Sequence, residues 1–164
     1  MNIFFVDSCP QTAAQMLCDK HVVKMVVESA QMLSTVSGGP YKPTHANHPS
    51  TIWTRTHSFW VYDHFAALLD EYRHRYDRIH KCDELLDILA EQIRHLPQDP
   101  WADPPQCMPE QYRNPLDTVA AYRDYYVHEK QYFARWDRGR GAPAWYMAHP
   151  ALNFPQPPTT TTHE

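Results

Sequence analysis

The stretch PQTAAQMLCDKHVVKMVVESAQMLSTV, residues 10–36, decides the fold. Ala13, Met16, Leu17, Val23, Val26, Val27, Ala30 and Leu33 recur at three- and four-residue intervals, the period of a helix that buries one stripe. Ser8, followed three residues later by Gln11, reads as a capping box with Pro10 in the first turn. Gly38, Gly39 and Pro40 stop the pattern. One helix is expected from about Pro10 to Val36.

The same period returns along the chain. Beyond the polar loop YKPTHANHP (residues 41–49), Ser50 reads as the N-cap of a second helix reaching about His80, with Trp53, Trp60, Leu68, Leu69, Tyr72, Tyr76 and Ile79 as its spine. Its length leaves room for a break. Asp83 reads as the cap of a third helix carrying Leu85, Leu86, Leu89, Ile93 and Leu96, ended by the proline-rich residues 97–109. Asn114, Pro115 and Asp117 open a fourth that carries through Trp136. There is no internal repeat and no alternating pattern of useful length, which leaves Asn2 to Val6 as the one stretch open to a lone edge strand. The expected fold is all-α: a compact bundle of three to four helices with long polar loops. One domain is expected over residues 1–150, and the composition of FPQPPTTTTHE marks residues 151–164 as a flexible tail.

At 164 residues the chain has the size of one core. No apolar run approaches the ~20 residues of a membrane span, and MNIFFVDSCPQT has neither a basic leader nor a cleavage site, so the expectation is a cytoplasmic protein with no membrane partner. Cys9, Cys18, Cys82 and Cys107 form no CxxC pair, which argues against a zinc ribbon and fits free thiols in a reducing compartment. The net charge of −4 is uneven: residues 82–110 carry −6, leaving +2 on the remainder. That is compatible with one mildly basic face, or with an ordinary solvated surface. Serine-nucleophile elbows, phosphate loops and dinucleotide fingerprints are absent, which removes the commonest hydrolase, kinase and dehydrogenase readings.

Three clusters could carry chemistry. In CDKHVVKMVVESAQML, Asp19, Lys20, His21, Lys24 and Glu28 interrupt an otherwise apolar helix. His21 and Glu28 lie two turns apart on one stripe, with Lys24 between them. A carboxylate among Val26, Val27, Ala30 and Met32 has its pKa raised by desolvation or lowered by a neighbouring ammonium, and either makes it a candidate acid or base. The competing reading is a surface Lys24–Glu28 pair beside a histidine satisfied in the core. The loop cluster is Lys42, His45, Asn47 and His48, followed by Trp53 and Arg55. Its histidines are candidate contacts to phosphate or base, or plain loop structure; the spacing is no recognised metal signature, and no metal is expected. Third, basic and aromatic residues interleave between Arg113 and Arg140, with Arg73, Arg75 and Arg78 on the second helix, a pattern that serves phosphates and stacked bases. Half of those aromatics must face a helix-bundle core.

LCDKHVVKMVVE resembles the catalytic helix of the bacteriophage pyrimidine-dimer DNA glycosylases of the endonuclease V type. That helix has Leu-x-Asp-x-His and then, seven residues after the His, a catalytic Glu, here Leu17, Asp19, His21 and Glu28. Pro143, Trp145 and Tyr146 in APAWYM resemble that family's Pro-x-Trp-Tyr segment, which lies close to the DNA. With CDKHVVKM, YKPTHANHP and MPEQYRNP, the chain is also similar to a broader set of small phage and bacterial proteins without a firm function. The resemblance implies a compact all-helical fold without cofactor or metal and DNA as partner. It also implies an amine that attacks the anomeric carbon of the damaged nucleotide, giving a Schiff base that permits strand cleavage. It gives Glu28 the acid or base role and His21 a DNA-contacting or positioning role. Where that family presents a processed N-terminal Thr, this chain has Met1-Asn2, and Val27 stands where that family has Arg. The nucleophile is therefore open between the Met1 amine, Lys24 and Lys20. The expected function is a base-excision-type enzyme with Glu28, His21 and Lys24 catalytic, and with Lys20, Lys42, His45, Asn47, His48, Trp53, Arg55, Trp145 and Tyr146 binding DNA or nucleotide. The alternatives are a phage DNA-base or nucleotide modification enzyme, and a non-catalytic nucleotide- or nucleic-acid-binding module.

Overall fold

The computed structural model describes residues 1–153; of the tail expected over residues 151–164, residues 154–164 lie outside the described residues. The described residues form seven α-helices: α1 Pro10–Met16, α2 Asp19–Ser37, α3 Pro49–Thr54, α4 Ser58–Tyr76, α5 Leu86–Ile93, α6 Thr118–Lys130 and α7 Ala144–Met147. Short 3-10 turns at Lys81–Leu85, Glu110–Tyr112 and Pro150–Asn153 join them. No strand occurs among the described residues, so Asn2 to Val6 is irregular and the fold is all-α as expected.

The helix count exceeds three to four because two expected helices break and a further short one, α7, forms in a stretch the spacing does not mark. The first breaks at Leu17 and Cys18, both extended (ψ 146° and 162°). The backbone groups exposed there are taken up by distant residues, which no local pattern could announce. Arg75 donates to the carbonyls of Gln15 (2.9 Å) and Leu17 (2.6 Å), and the Trp136 indole donates to Met16 (3.1 Å). The Cys18 N–H donates to the Tyr126 hydroxyl (3.0 Å) and the Asp19 N–H to the Arg135 carbonyl (2.8 Å). Each group would otherwise be a buried orphan, so the break is as fixed as a helix interior. The second expected helix divides into α3 and α4 at His57, which stacks flat on Trp53 (4.6 Å between centroids).

Caps moved as well. Cys9, not Ser8, precedes α1 and makes no side-chain cap; its own N–H is held by Asp7 Oδ1. His48, not Ser50, caps α3, its Nδ1 accepting from the Ser50 N–H at 3.1 Å. Asp83 falls inside a 3-10 turn capped by His80. Asp117 does cap its helix, accepting from the Ala120 N–H at 2.9 Å, but α6 stops at Lys130, short of Trp136. Gly38 ends α2 as expected: at φ +93°, where a side chain would be strained, its N–H and that of Gly39 both return to the Ser34 carbonyl.

The core is the meeting of α1, α2 and α4, with α5 and α6 closing it. Leu17, Met25, Leu33, Phe65, Leu68 and Leu89 are almost wholly buried with Tyr122 and Tyr126, each apolar side chain contributing about 1.5–3 kcal/mol of transfer energy. Inside it lies an ion network. Arg75, whose side chain is fully buried, holds Glu71 (2.9 Å) and Asp19 (3.2 Å), and Arg140 adds a second cation to Glu71. Asp19 also accepts from the Asp137 N–H at 2.8 Å, tying the segment after α6 to the start of α2.

Candidate active site

The N-terminal segment folds back onto α2. Phe4 takes a left-handed backbone (φ 53°), which costs a bulky residue of order 1–3 kcal/mol and persists only where its surroundings fix it. Here Asn2 Oδ1 accepts from the Phe4 N–H (2.9 Å) while Asn2 Nδ2 donates to the Cys107 carbonyl (3.0 Å). The Phe4 ring stacks on His21 (4.5 Å) and meets Tyr126 edge-on. The bend carries the Met1 amine to 4.0 Å from Glu28 Oε1, with the Glu28 side chain only 18% exposed.

Met1 lines a cleft of about 750 Å³ with Asn2, His48, Cys107, Arg113 and Tyr125 among others. His48 Nδ1 is used by its cap bond, so the neutral ring carries its proton on Nε2. Burial, then the positive Met1 amine, pushes its pKa below the ordinary histidine value, which keeps it neutral. Arg113 is held by the Met108 carbonyl (3.0 Å) and leaves the rest of its guanidinium at the rim. The cleft therefore brings Met1, a neutral imidazole and a guanidinium around one space, with the Glu28 carboxylate behind Met1 at 4.0 Å from its amine.

His21 lies in the core. The Tyr126 hydroxyl accepts from the Cys18 N–H and shares a hydrogen bond with His21 Nδ1 at 2.8 Å. Burial first, then Lys130, Lys24 and Lys20, push the His21 pKa down to about 3. Those cations mark a basic surface above the ring. Lys20 and Lys24 line a second cleft of about 800 Å³ with Tyr76, Phe133, Arg135 and Arg138. Lys20 lies over Phe133 (5.3 Å), and Lys130 lies over both Phe4 and Tyr125. No ion pair joins Lys24 to Glu28; the carboxylate's charged partner is Met1.

The remaining expected site residues scatter. Lys42, His45 and Asn47 are exposed on the loop, with His45 Nδ1 bonded to the Thr44 hydroxyl (2.8 Å). Arg55 clamps that loop through the Ala46 carbonyl (2.8 Å). Trp53 is buried, its indole donating to the Ala102 carbonyl (3.0 Å). Tyr146 is buried, and Trp145 packs on Met16 and Arg123. Sequence reasoning missed Arg113 and Tyr125 as cleft residues; both stood in the basic and aromatic interleaving, which gave no means of choosing among its members. Of that set, Tyr122 and Tyr126 went to the core and Arg140 to the buried network.

Asp124, His128 and His149 bring their ligand atoms within 4.8 Å of one another. His149 Nδ1 accepts from the Ala151 N–H (3.1 Å), so the neutral ring's Nε2–H donates to Asp124 Oδ1 (2.9 Å). A cation would need that Nε2 bare and the proton moved to face the Ala151 N–H, so the cluster is built as a pin for the last described turn.

No described helix is long and apolar enough to cross a membrane. A family model described as pyrimidine dimer DNA glycosylase matches residues 1–84, the span that contains Met1, Glu28 and His48 and stops before Arg113 and Tyr125. No curated protein and no solved structure matches.

Proposed function

The chain belongs to the pyrimidine dimer DNA glycosylase family, and we propose that it excises a damaged base from DNA with the Met1 amine as nucleophile and Glu28 as its acid and base. The observation that carries this reading is the 4.0 Å approach of that amine to the Glu28 carboxylate, beside an open cleft that Met1 lines. An uncharged amine attacks C1′ of the nucleotide and the base departs with the glycosidic electron pair. The nitrogen then loses one proton, its lone pair forms the C1′=N bond as C1′–O4′ breaks, and O4′ takes a proton, leaving a ring-opened C1′ iminium. Glu28 takes up the proton released at nitrogen and gives it to the departing O4′, which returns the carboxylate to its charged form. It can then remove a C2′ proton, so that the electrons expel the 3′ phosphate and the strand is cut. A carboxylate mostly shielded from water, aimed at the amine, suits these transfers.

Neutral His48 offers its Nε2–H to the departing base or to a sugar oxygen. Arg113 at one end of the face, and Lys20, Lys24 and Lys130 towards the other, take the strand's phosphates. His21 positions the site: its ring carries Phe4, and Phe4 sets the bend that delivers Met1. The test is borohydride reduction with DNA bearing a pyrimidine dimer or an abasic site. A covalent adduct that peptide mapping assigns to Met1 is the expected result. An adduct on Lys24 or Lys20 overturns the nucleophile, and no adduct with any lesion overturns the glycosylase chemistry.

A further inference from the structure

Leu116 stands 96% exposed, more than any other large hydrophobic side chain among the described residues. It is not on a loose loop. The Leu116 N–H donates to Asn114 Oδ1 (3.0 Å) and the Asp117 N–H to the Asn114 carbonyl (3.2 Å), while Asp117 caps α6. The Gln106 amide clasps Asn114 from both sides, accepting from its N–H (2.7 Å) and donating to its carbonyl (2.6 Å). The turn that presents this leucine is thus fixed before any partner arrives. Its neighbours Arg113 and Pro115 line the same cleft as Met1.

We propose that Leu116 is a wedge that enters the DNA base stack beside the damaged nucleotide and holds the duplex open over the cleft that Met1 lines, an inference that rests on the glycosylase reading. A base inside a duplex hides C1′ from an attacking amine, so the nucleotide must leave the stack and something must keep the gap from closing. A single rigid apolar side chain fills one base step. It does not make a protein interface, which needs a contiguous apolar patch, and here the flanking Gln111, Asn114 and Asp117 are polar. Arg113, which lines that cleft, would take a phosphate flanking the opened step.

The experiment compares the full chain with Leu116→Ala and Leu116→Phe, on a duplex carrying one pyrimidine dimer with 2-aminopurine beside it and on the same lesion strand unpaired. With nothing packed on Leu116, both variants should melt like the parent. Duplex affinity should stay within about twofold because phosphate contacts supply most of it. Single-turnover excision from the duplex should fall about tenfold or more in Leu116→Ala, with a smaller 2-aminopurine rise, because the gap recloses before attack. Leu116→Phe should retain both signals, and on the single strand all three proteins should match, as there is no stack to open. Equal duplex rates and equal fluorescence in parent and Leu116→Ala overturn the wedge, as does an equal loss on single and double strands. If the parent excises from neither substrate, the glycosylase reading itself fails and the wedge goes with it.

Discussion

His21 sits where a motif would put a catalytic group, yet its surroundings hold it uncharged, and acid titration of the protein tests which description is right. Its pKa is pushed from 6.5 to about 3 by burial and by Lys130, Lys24 and Lys20. The folded value lies below the unfolded one, so as pH falls through 6.5 the unfolded chain takes the proton first and the native state loses ground. The contribution is complete above about pH 6.5 and is lost progressively down to about pH 3. Each unit in that window removes about 1.4 kcal/mol, so at about pH 4.5 His21 alone accounts for up to about 2.7 kcal/mol. His64 behaves alike. Its Nδ1–H donates to the Pro10 carbonyl, its Nε2 is buried without a partner, and its pKa is pushed down to about 4. The two together remove up to roughly 5 kcal/mol, a large part of a domain's usual stability.

Urea unfolding of the parent and of His21→Gln between about pH 7 and about pH 4.5 reads this directly. The variant will be less stable at neutral pH because it loses the ring stacked on Phe4, but its stability should fall about half as steeply with acid, with His64 left to titrate. The His21 ring protons in an NMR titration should stay flat down to about pH 5. A His21 midpoint near its ordinary value of 6.5, or identical slopes in the two proteins, would refute the account of a histidine that never cycles a proton at neutral pH.

Three further outcomes are expected. Glu28→Gln, which keeps the shape and removes the charge, should lower excision and borohydride trapping by a factor of about a hundred to ten thousand with an unchanged circular dichroism spectrum, the scale of a positioned acid or base. Arg75→Met leaves Glu71 and Asp19 short of their buried cation and strips donors from the α1–α2 break. It should cost about 3–5 kcal/mol, or roughly 6–20 °C in Tm by calorimetry. Asp117→Ala removes the α6 cap and should cost about 1 kcal/mol in urea unfolding.

The helical faces were legible because burial on a helix is periodic and local: Val26, Ala30 and Leu33 are buried where the spacing of α2 puts them, whereas Val23 and Val27 are half-buried and Val22 and Met25 take core positions instead. The breaks were not, since extended Leu17 and Cys18 are stabilised by Arg75, Trp136 and Tyr126, which are remote in sequence. The polar interruptions of α2 were legible as a set and not as roles. Glu28 and His21 share a stripe by count, yet Glu28 meets an amine brought back by Asn2 and Phe4, whereas His21 is closed over by Phe4, Phe133 and Tyr126.

The same contacts explain why a core histidine and a cleft carboxylate belong to one device. Tyr126 joins the α1–α2 break to His21 through one hydroxyl, His21 carries Phe4, and the strained Phe4 bend sets the Met1 amine against Glu28. A terminal amine has more freedom than any side chain, and for the nucleophile proposed above that freedom would work against attack at a fixed carbon. Holding it requires that the segment behind it be as rigid as a helix interior. Here that rigidity comes from a ring stack and a chain of hydrogen bonds, all of them buried and none of them charged at neutral pH, so the positioning of the amine is insensitive to the salt and pH that govern the basic face where the strand would lie.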